Sequence, residues 1–175
     1  MGFLEETEGE DFKDPLFLEN WRNAKEVGLI RGAYHFFTFC RPGQEQVQNF
    51  LETVPIEPGT LAPVIDLEFG GNCQARPSRA NLLQELTEYI TAIEQVYGQT
   101  PILYVTYEAY NAYLTGELEH LALWIRDIFW YPRLPDNRTW LFWQYSNRGK
   151  LQGISTYVDL NVFQGSAEEF KQFLR

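Results

Sequence analysis

The chain has 175 residues, 14 Lys and Arg against 24 Asp and Glu, and a formal net charge of -10. That length suits one ordinary domain with a single sizeable core, and an acidic balance with no Lys/Arg stripe disfavours nucleic acid and anionic membrane as partners. No apolar run approaches the roughly 20 residues of a membrane span, and Met1-Gly2-Phe3-Leu4-Glu5-Glu6 turns acidic too soon for a signal peptide.

Gly2-Phe3-Leu4 reads as the tail of a strand that runs into an acidic loop, Glu5 to Gly9. Asp14-Pro15 predicts a helix, with Asp as N-cap and Pro at the first helical position. Phe17, Leu18, Trp21, Ala24 and Val27 supply its apolar stripe, and Gly28 ends it. A strand follows over Ile30 to Phe37, then a helix from about Gln44 to Thr53 with Val47, Phe50, Leu51 and Val54 on one face.

Ala62 to Phe69 is the next strand, with Val64, Ile65 and Leu67 apolar. Pro77-Ser78 opens a long helix carrying Leu82, Leu83, Leu86, Ile90, Ile93 and Tyr97 at helical spacing, closed by Gly98. Pro101 to Thr106 is a buried strand, Glu108 to Leu114 a shorter helix, and Leu121 to Arg126 a further strand. Strands at Trp140 to Tyr145 and Thr156 to Asp159 precede a final helix, Phe170 to Leu174, opened by the capping box Ser166-Ala167-Glu168-Glu169. Strand and helix alternate almost throughout, which predicts an α/β fold with a parallel sheet and helical crossovers. There is no internal repeat, low-complexity tract or linker, so residues 1–175 read as a single domain.

Asp66 and Glu68 stand two residues apart at the end of a strand, and a strand's side-chain period is two, so both carboxylates point the same way with backbones roughly 7 Å apart. Repulsion and partial burial raise at least one pKa, which leaves a proton donor beside an anion. That is equipment for cleaving a glycosidic bond, although two solvated strand-end residues would show the same spacing. In parallel α/β folds, ligands sit at the carboxyl ends of the strands. Those ends carry Tyr34 and His35, Asp66 and Glu68, Tyr104 and Thr106, Trp124 and Arg126, Gln144 and Tyr145, and Asp159. Aromatic faces pack on the C–H faces of sugars while polar neighbours fix the hydroxyls. Cys40 and Cys73 do not form a C-x-x-C pair, His35 and His120 lack metal-ligand spacing, and no G-x-G-x-x-G loop is present, so the sequence argues for neither a metal nor a cofactor.

Several segments together resemble the glycoside hydrolase family 25 lysozymes, the Chalaropsis-type N-acetylmuramidases. They are Thr7-Glu8-Gly9 with Asp14-Pro15-Leu16-Phe17, Gly32-Ala33-Tyr34-His35-Phe36-Phe37, Pro63-Val64-Ile65-Asp66-Leu67-Glu68, Leu123-Trp124-Ile125, Phe142-Trp143-Gln144-Tyr145-Ser146 and Val158-Asp159-Leu160-Asn161-Val162-Phe163. They occur in the family's order across nearly the whole chain. The resemblance implies an irregular, TIM-like β/α barrel and hydrolysis of the N-acetylmuramic acid to N-acetylglucosamine β-1,4 bond in peptidoglycan. By motif position Glu68 is similar to the family's general acid/base, Asp66 to its partner carboxylate, and Asp159 to a further site aspartate. Tyr34, Tyr104, Trp124 and Gln144 are similar to cleft residues that bind the substrate. The implied partner is the peptidoglycan glycan strand, and the implied location is extracellular or periplasmic.

The departures from the family pattern carry their own expectations. Family members begin with a strand bearing Asp-Val-Ser and an active-site aspartate, and their second strand ends in a Lys-Ala-Thr-Glu-Gly-like sequence. This chain shows no such first strand and has Glu5 where that lysine falls, so the barrel is expected to be N-terminally incomplete by about thirty to forty residues, one strand–helix unit and half a strand. A substrate-assisted mechanism, in which the 2-acetamido group acts as internal nucleophile, uses Glu68 and Asp66, whereas a direct displacement could require the missing aspartate. Cys40 and Cys73 follow strands that would be neighbours, and they could form a disulfide or remain two free thiols. Two other readings stand beside the muramidase: a wall-binding protein that has lost turnover, and another carboxylate-pair glycosidase such as a chitinase.

Overall fold

Alternation along the strands decides the architecture, because successive side chains point to opposite faces and here both faces are apolar. The computed structural model describes residues 1–174. Its strands are β1 (Gly2–Glu8), β2 (Phe12–Lys13), β3 (Arg31–Phe36), β4 (Val64–Leu67), β5 (Ile102–Thr106), β6 (Ala122–Arg126), β7 (Phe142–Gly149) and β8 (Val158–Phe163). They form one sheet in the order β2-β1-β3-β4-β5-β6-β7-β8. The chain is thus an α/β protein, and β1 and β3 to β7 run parallel.

Two elements depart from the all-parallel expectation. β8 pairs with β7 antiparallel, because residues 150–157 form a connection too short for the dozen or more residues of a parallel crossover. β2, which the sequence did not announce, folds back antiparallel on the end of β1. The acidic run expected as a loop is the second half of β1, with Glu5 opposite Tyr34 and Thr7 opposite His35. Glu6 between them is a bulge, which turns both Glu6 and Thr7 toward the helices.

The outer face of the sheet is covered by α1 (Phe17–Glu26), α2 (Gly43–Thr53) and α3 (Arg79–Tyr97). Ile65, Leu67, Leu103, Val105, Leu123 and Ile125 meet Phe50, Leu86, Tyr89 and Ile93 there in one buried cluster. α3 shows why its ends fall where they do. The Ser78 hydroxyl accepts the Asn81 N–H at 3.2 Å, and Gly98 closes the helix at φ 64°, a conformation that a side chain disfavours. α1 starts two residues later than expected, at Phe17. Asp14 caps a turn instead, its Oδ1 accepting the Leu16 N–H at 2.9 Å. Only Phe17 and Trp21 of its predicted stripe are buried, and Leu18 and Val27 face solvent. The short helix after β5 is α4 (Tyr107–Ala109), which continues as a π-helical turn, Tyr110–Leu114.

The inner face carries a second apolar cluster built from Ala62, Val64, Ile102, Tyr104, Trp124 and Phe142, with Phe3, Tyr34 and Phe163 against it. Phe3 on β1 lies 4.8 Å from the Trp124 ring and 6.3 Å from the Phe142 ring, although β3, β4 and β5 stand between β1 and β6 in the sheet. The sheet is therefore curled around this cluster. Gly32 makes room for the Phe3 ring, since a Cβ there would stand 2.6 Å from it. The capping box of Ser166 and Glu169 starts α5 (Ala167–Lys171) as expected. Phe170 and Phe173 then pack on Phe142, and the Phe173 carbonyl accepts the Ala62 N–H at 3.2 Å. This closes the amino ends of the strands, so the inner face opens to solvent at their carboxyl ends. Among the described residues no ladder joins β8 to β1 or β2, and no helix is long and apolar enough to cross a membrane.

Glu6 is fully buried under α2 and α3, and neither carboxylate oxygen has a hydrogen-bond partner among the described residues. Burial is the largest influence and pushes its pKa up to about 7, outweighing the opposing charge of Lys13. An acid with a raised folded-state pKa favours the fold below its unfolded value, and that contribution is lost as pH rises through 7. Glu6→Gln is therefore expected to gain about 2–3 kcal/mol relative to the parent between pH 4.5 and pH 8, at 1.36 kcal/mol per pKa unit. Urea midpoints of both proteins across that range measure it; a constant difference would show that Glu6 ionises freely in the folded chain.

Candidate active site

Strand register sets the site. Asp66 on β4 lies opposite Tyr104 on β5, which lies opposite Trp124 on β6. One step of two residues further along come Glu68, Thr106 and Arg126, with Thr106 opposite Arg126 and Arg126 opposite Gln144 on β7. Gln144 in turn lies opposite Asn161 on β8, two residues from Asp159 and of the same parity. Tyr34 on β3 and Glu5 on β1 complete the rim, with the Tyr34 hydroxyl donating to Glu5 Oε2 at 3.0 Å. Glu68, Asp66, Asp159, Tyr34, Tyr104, Trp124 and Gln144 thus all belong to the inner face.

They do not all stand equally open. Tyr104, Trp124 and Gln144 are buried and form the floor. The Tyr104 hydroxyl donates to Gln144 Oε1 at 2.6 Å, and Trp124 Nε1 donates to Asn161 Oδ1 at 2.9 Å. These bonds fix the floor side chains across four strands. Asp66 is set into that floor, and its buried Oδ1 has no hydrogen-bond partner among the described residues. Glu68 reaches further out, and Arg126 Nη1 lies 3.5 Å from its Oε2. Asp159 is exposed at the edge.

The electrostatics follow from this arrangement. Burial holds the Asp66 carboxyl well above the usual carboxylate range, and the negative charges of Glu68 and Glu5 push it the same way while Arg126 opposes. Glu68 is also raised, first by burial, with Arg126 pulling it down and Asp159 pushing it up. Asp159, exposed but partly desolvated by its neighbours, is raised by that desolvation against the same arginine. Tyr34 and Tyr104 are held protonated, by burial first and then by the neighbouring carboxylates. Burial and the negative charge of Glu68 act on Asp66 in the same direction, so Asp66 holds its proton where a separated, solvated carboxyl would lose it.

Two residues of the predicted rim point elsewhere. His35 faces the outer core, fully buried, with Nδ1 2.7 Å from the Thr7 hydroxyl, Nε2 3.2 Å from Gln46 Oε1 and its ring stacked on Tyr89. Burial lowers its pKa to about 4, so it is a neutral core histidine. Tyr145, opposite in parity to Gln144, packs beside Trp143 at the surface. Glu5 and Asn161 were missed as rim residues. Their strand parity with Phe3 and Phe163 was the available signal, but it was hidden for Glu5 by the reading of the acidic run as a loop. Cys40 and Cys73 are joined by a disulfide with Cα atoms 6.4 Å apart, tying the segment after β3 to the segment after β4. Among the described residues no group of three or more His, Cys, Asp or Glu is placed to hold a metal ion.

Comparison with known proteins gives a consistent result. The sequence pattern described as glycosyl hydrolases family 25 matches residues 2–154. A family 25 glycosyl hydrolase from Bacillus anthracis is 43% identical and superposes with a TM-score of 0.92, over 98% of this chain and 81% of that one. The uncharacterized protein YegX of Escherichia coli (strain K12) is 36% identical over 176 residues, which cover 99% of this chain and 62% of YegX. Lysozyme M1 of Streptomyces globisporus is 31% identical over 185 residues, 95% of this chain and 60% of that protein. The chain therefore spans less than two thirds of the length of these two relatives.

The geometry around Glu68 makes a direct prediction. Replacing Arg126 by Met removes the positive charge from Glu68 Oε2 while keeping an apolar stem. The Glu68 carboxyl should then titrate at higher pH than in the parent, as followed by carbon-13 NMR of the side-chain carboxyls. An unchanged or lower titration would mean that the ion pair does not govern Glu68 in solution.

Proposed function

The chain belongs to glycosyl hydrolases family 25, and from that premise we propose that it is a peptidoglycan hydrolase, cleaving the β-1,4 bond between N-acetylmuramic acid and N-acetylglucosamine. The observation that carries the reading is the Asp66–Glu68 pair: one carboxyl buried in an aromatic floor with an oxygen that no described residue bonds, the other partly open at the rim. The similarity to a family 25 glycosyl hydrolase and to a lysozyme supports it.

In the proposed mechanism Glu68 is the general acid and then the general base. Its proton passes to the glycosidic oxygen as the C1–O bond breaks, and the leaving N-acetylglucosamine departs with its 4-hydroxyl restored. The carbonyl oxygen of the muramic 2-acetamido group closes on C1, giving a cyclic oxazolinium. Asp66 orients the acetamido N–H and, as an anion, balances the positive charge that develops there. Water then attacks C1, Glu68 takes its proton, and the ring opens to return the acetamido group. A proton shared by the pair suits this sequence. An acetamido N–H against Asp66 favours its anion and moves the proton to Glu68, where bond cleavage needs it. Tyr34 and Asp159 line the approach, with Tyr104, Trp124 and Gln144 as the floor under the sugar. The proposal carries with it a site of action outside the cell or in the periplasm, where such a substrate lies.

The test is incubation with purified peptidoglycan, measuring new reducing ends and the sugar that bears them. Glu68→Gln is expected to lower the rate by about 10²–10⁴, and Asp66→Asn by about 10² or more. Muramic acid at the new reducing ends is expected. Full activity in Glu68→Gln would remove that residue from the chemistry, and equal cleavage of plain chitin oligomers would favour a chitinase. Sedimentation with peptidoglycan without any new reducing ends would favour a wall-binding protein.

A further inference from the structure

The connection between β6 and β7 presents an aromatic surface that the proposed chemistry does not use. Phe129 is 81% exposed and Trp130 78%, yet the backbone that carries them is held on all sides. Asp127 Oδ1 accepts the N–H groups of both Phe129 and Trp130 at 2.9 Å. The Asp127 carbonyl accepts Trp143 Nε1 at 2.7 Å, and its N–H donates to the Gln144 carbonyl at 3.1 Å. Beyond the turn, Tyr131 packs on Trp140 and Trp143, with ring centroids 5.7 and 5.5 Å away. The Arg133 N–H is bonded to the Tyr107 hydroxyl at 2.7 Å.

Two large rings in water on a clamped turn lose little further backbone entropy when they bind, and each has an apolar face to offer. Their place in the fold indicates the occupant. Asp127 directly follows Arg126, the partner of Glu68, so the Phe129 backbone lies within about 11 Å of Arg126 at the roughly 3.6 Å reach of one residue. The surface thus continues the rim at the carboxyl ends of the strands. The net charge of -10 works against an anionic lipid surface as the occupant, whereas the C–H faces of pyranose rings suit exposed Trp and Phe.

We propose that Phe129 and Trp130 form an outer platform that holds the peptidoglycan glycan strand beyond the bond being cleaved. The proposal rests on the reading of the rim as a peptidoglycan-cleaving site. It makes the platform important for long, insoluble strands and dispensable for a short soluble fragment that reaches only the floor.

The test compares the chain with its Phe129→Ser/Trp130→Ser double variant. In a Glu68→Gln background, chosen to slow turnover during the binding measurement, the double variant should bind purified sacculi about tenfold more weakly. With Glu68 intact, its rate on a soluble tetrasaccharide of the glycan strand should stay within twofold of the parent. Its melting temperature should be unchanged, since both rings are exposed. Undiminished sacculus binding would overturn the proposal, as would an equal loss on both substrates, which would place the loop inside the catalytic cleft. A concentration-dependent dimer of the parent that the double variant abolishes would also overturn it, assigning the rings to self-association. Should the parent cleave neither substrate, the hydrolase reading fails, and the binding comparison in Glu68→Gln still decides whether the platform holds glycan.

Discussion

The structure depends on the aromatic packing inside the curl of the sheet. Phe3 sits against Gly32 and reaches across to Trp124 and Phe142, which draws β1 toward β6 and β7. Burying rings of this size contributes on the order of 2–3 kcal/mol each by area removed from water, and the contact exists only if the sheet curves. Val64, Ile102 and Phe163 complete the same layer. Without it the rim residues would sit on an open, wet sheet, and their carboxylates would ionise as ordinary surface groups.

The chemistry of the rim follows from that packing. Tyr104 and Trp124 form the upper surface of the aromatic layer, and Asp66 is set beside them in the same row of the ladder. Desolvation is accordingly the largest influence on Asp66, Glu68 and Asp159 alike, ahead of any individual charge. Arg126 then discriminates among them. Its contact with Glu68 Oε2 keeps that side chain oriented at the rim, while among the described residues Asp66 below has no comparable partner for Oδ1. Two neighbouring carboxyls thus have different surroundings and can take different roles, which is the condition for one to carry the proton while the other meets a developing cation. The disulfide between Cys40 and Cys73 braces the loops on the β3 and β4 side of this rim.

Much of this was legible in the sequence because periodicity reports directly on which face a side chain takes. The Asp66–Glu68 spacing placed both carboxylates on one face, the α3 stripe and its Ser78 and Gly98 ends followed from local chemistry, and the Ser166–Glu169 box marked the last helix. The errors arose where composition and tertiary context disagree. A run of glutamates between Leu4 and Gly9 looks like a solvated loop, yet it pairs with β3, and the bulge at Glu6 places that side chain in an apolar core. His35 lies in a strand whose neighbours Tyr34 and Phe36 face inward, and parity alone would have sent it to the opposite side. The antiparallel return of β8 depended on the length of one connection, which strand patterns do not record. Leu18 and Val27 belonged to a helical stripe wider than the surface available to cover it.

The central claim is that packing inside the curl forces Asp66 and Glu68 to titrate as an interacting pair. A carbon-13 NMR titration of the two side-chain carboxyls in the unmodified chain tests it most directly. The account predicts that Asp66 keeps its proton well above the usual aspartate range, and that each resonance also shifts where the other residue titrates. Independent, single-step titrations of both residues in the ordinary carboxylate range would contradict it.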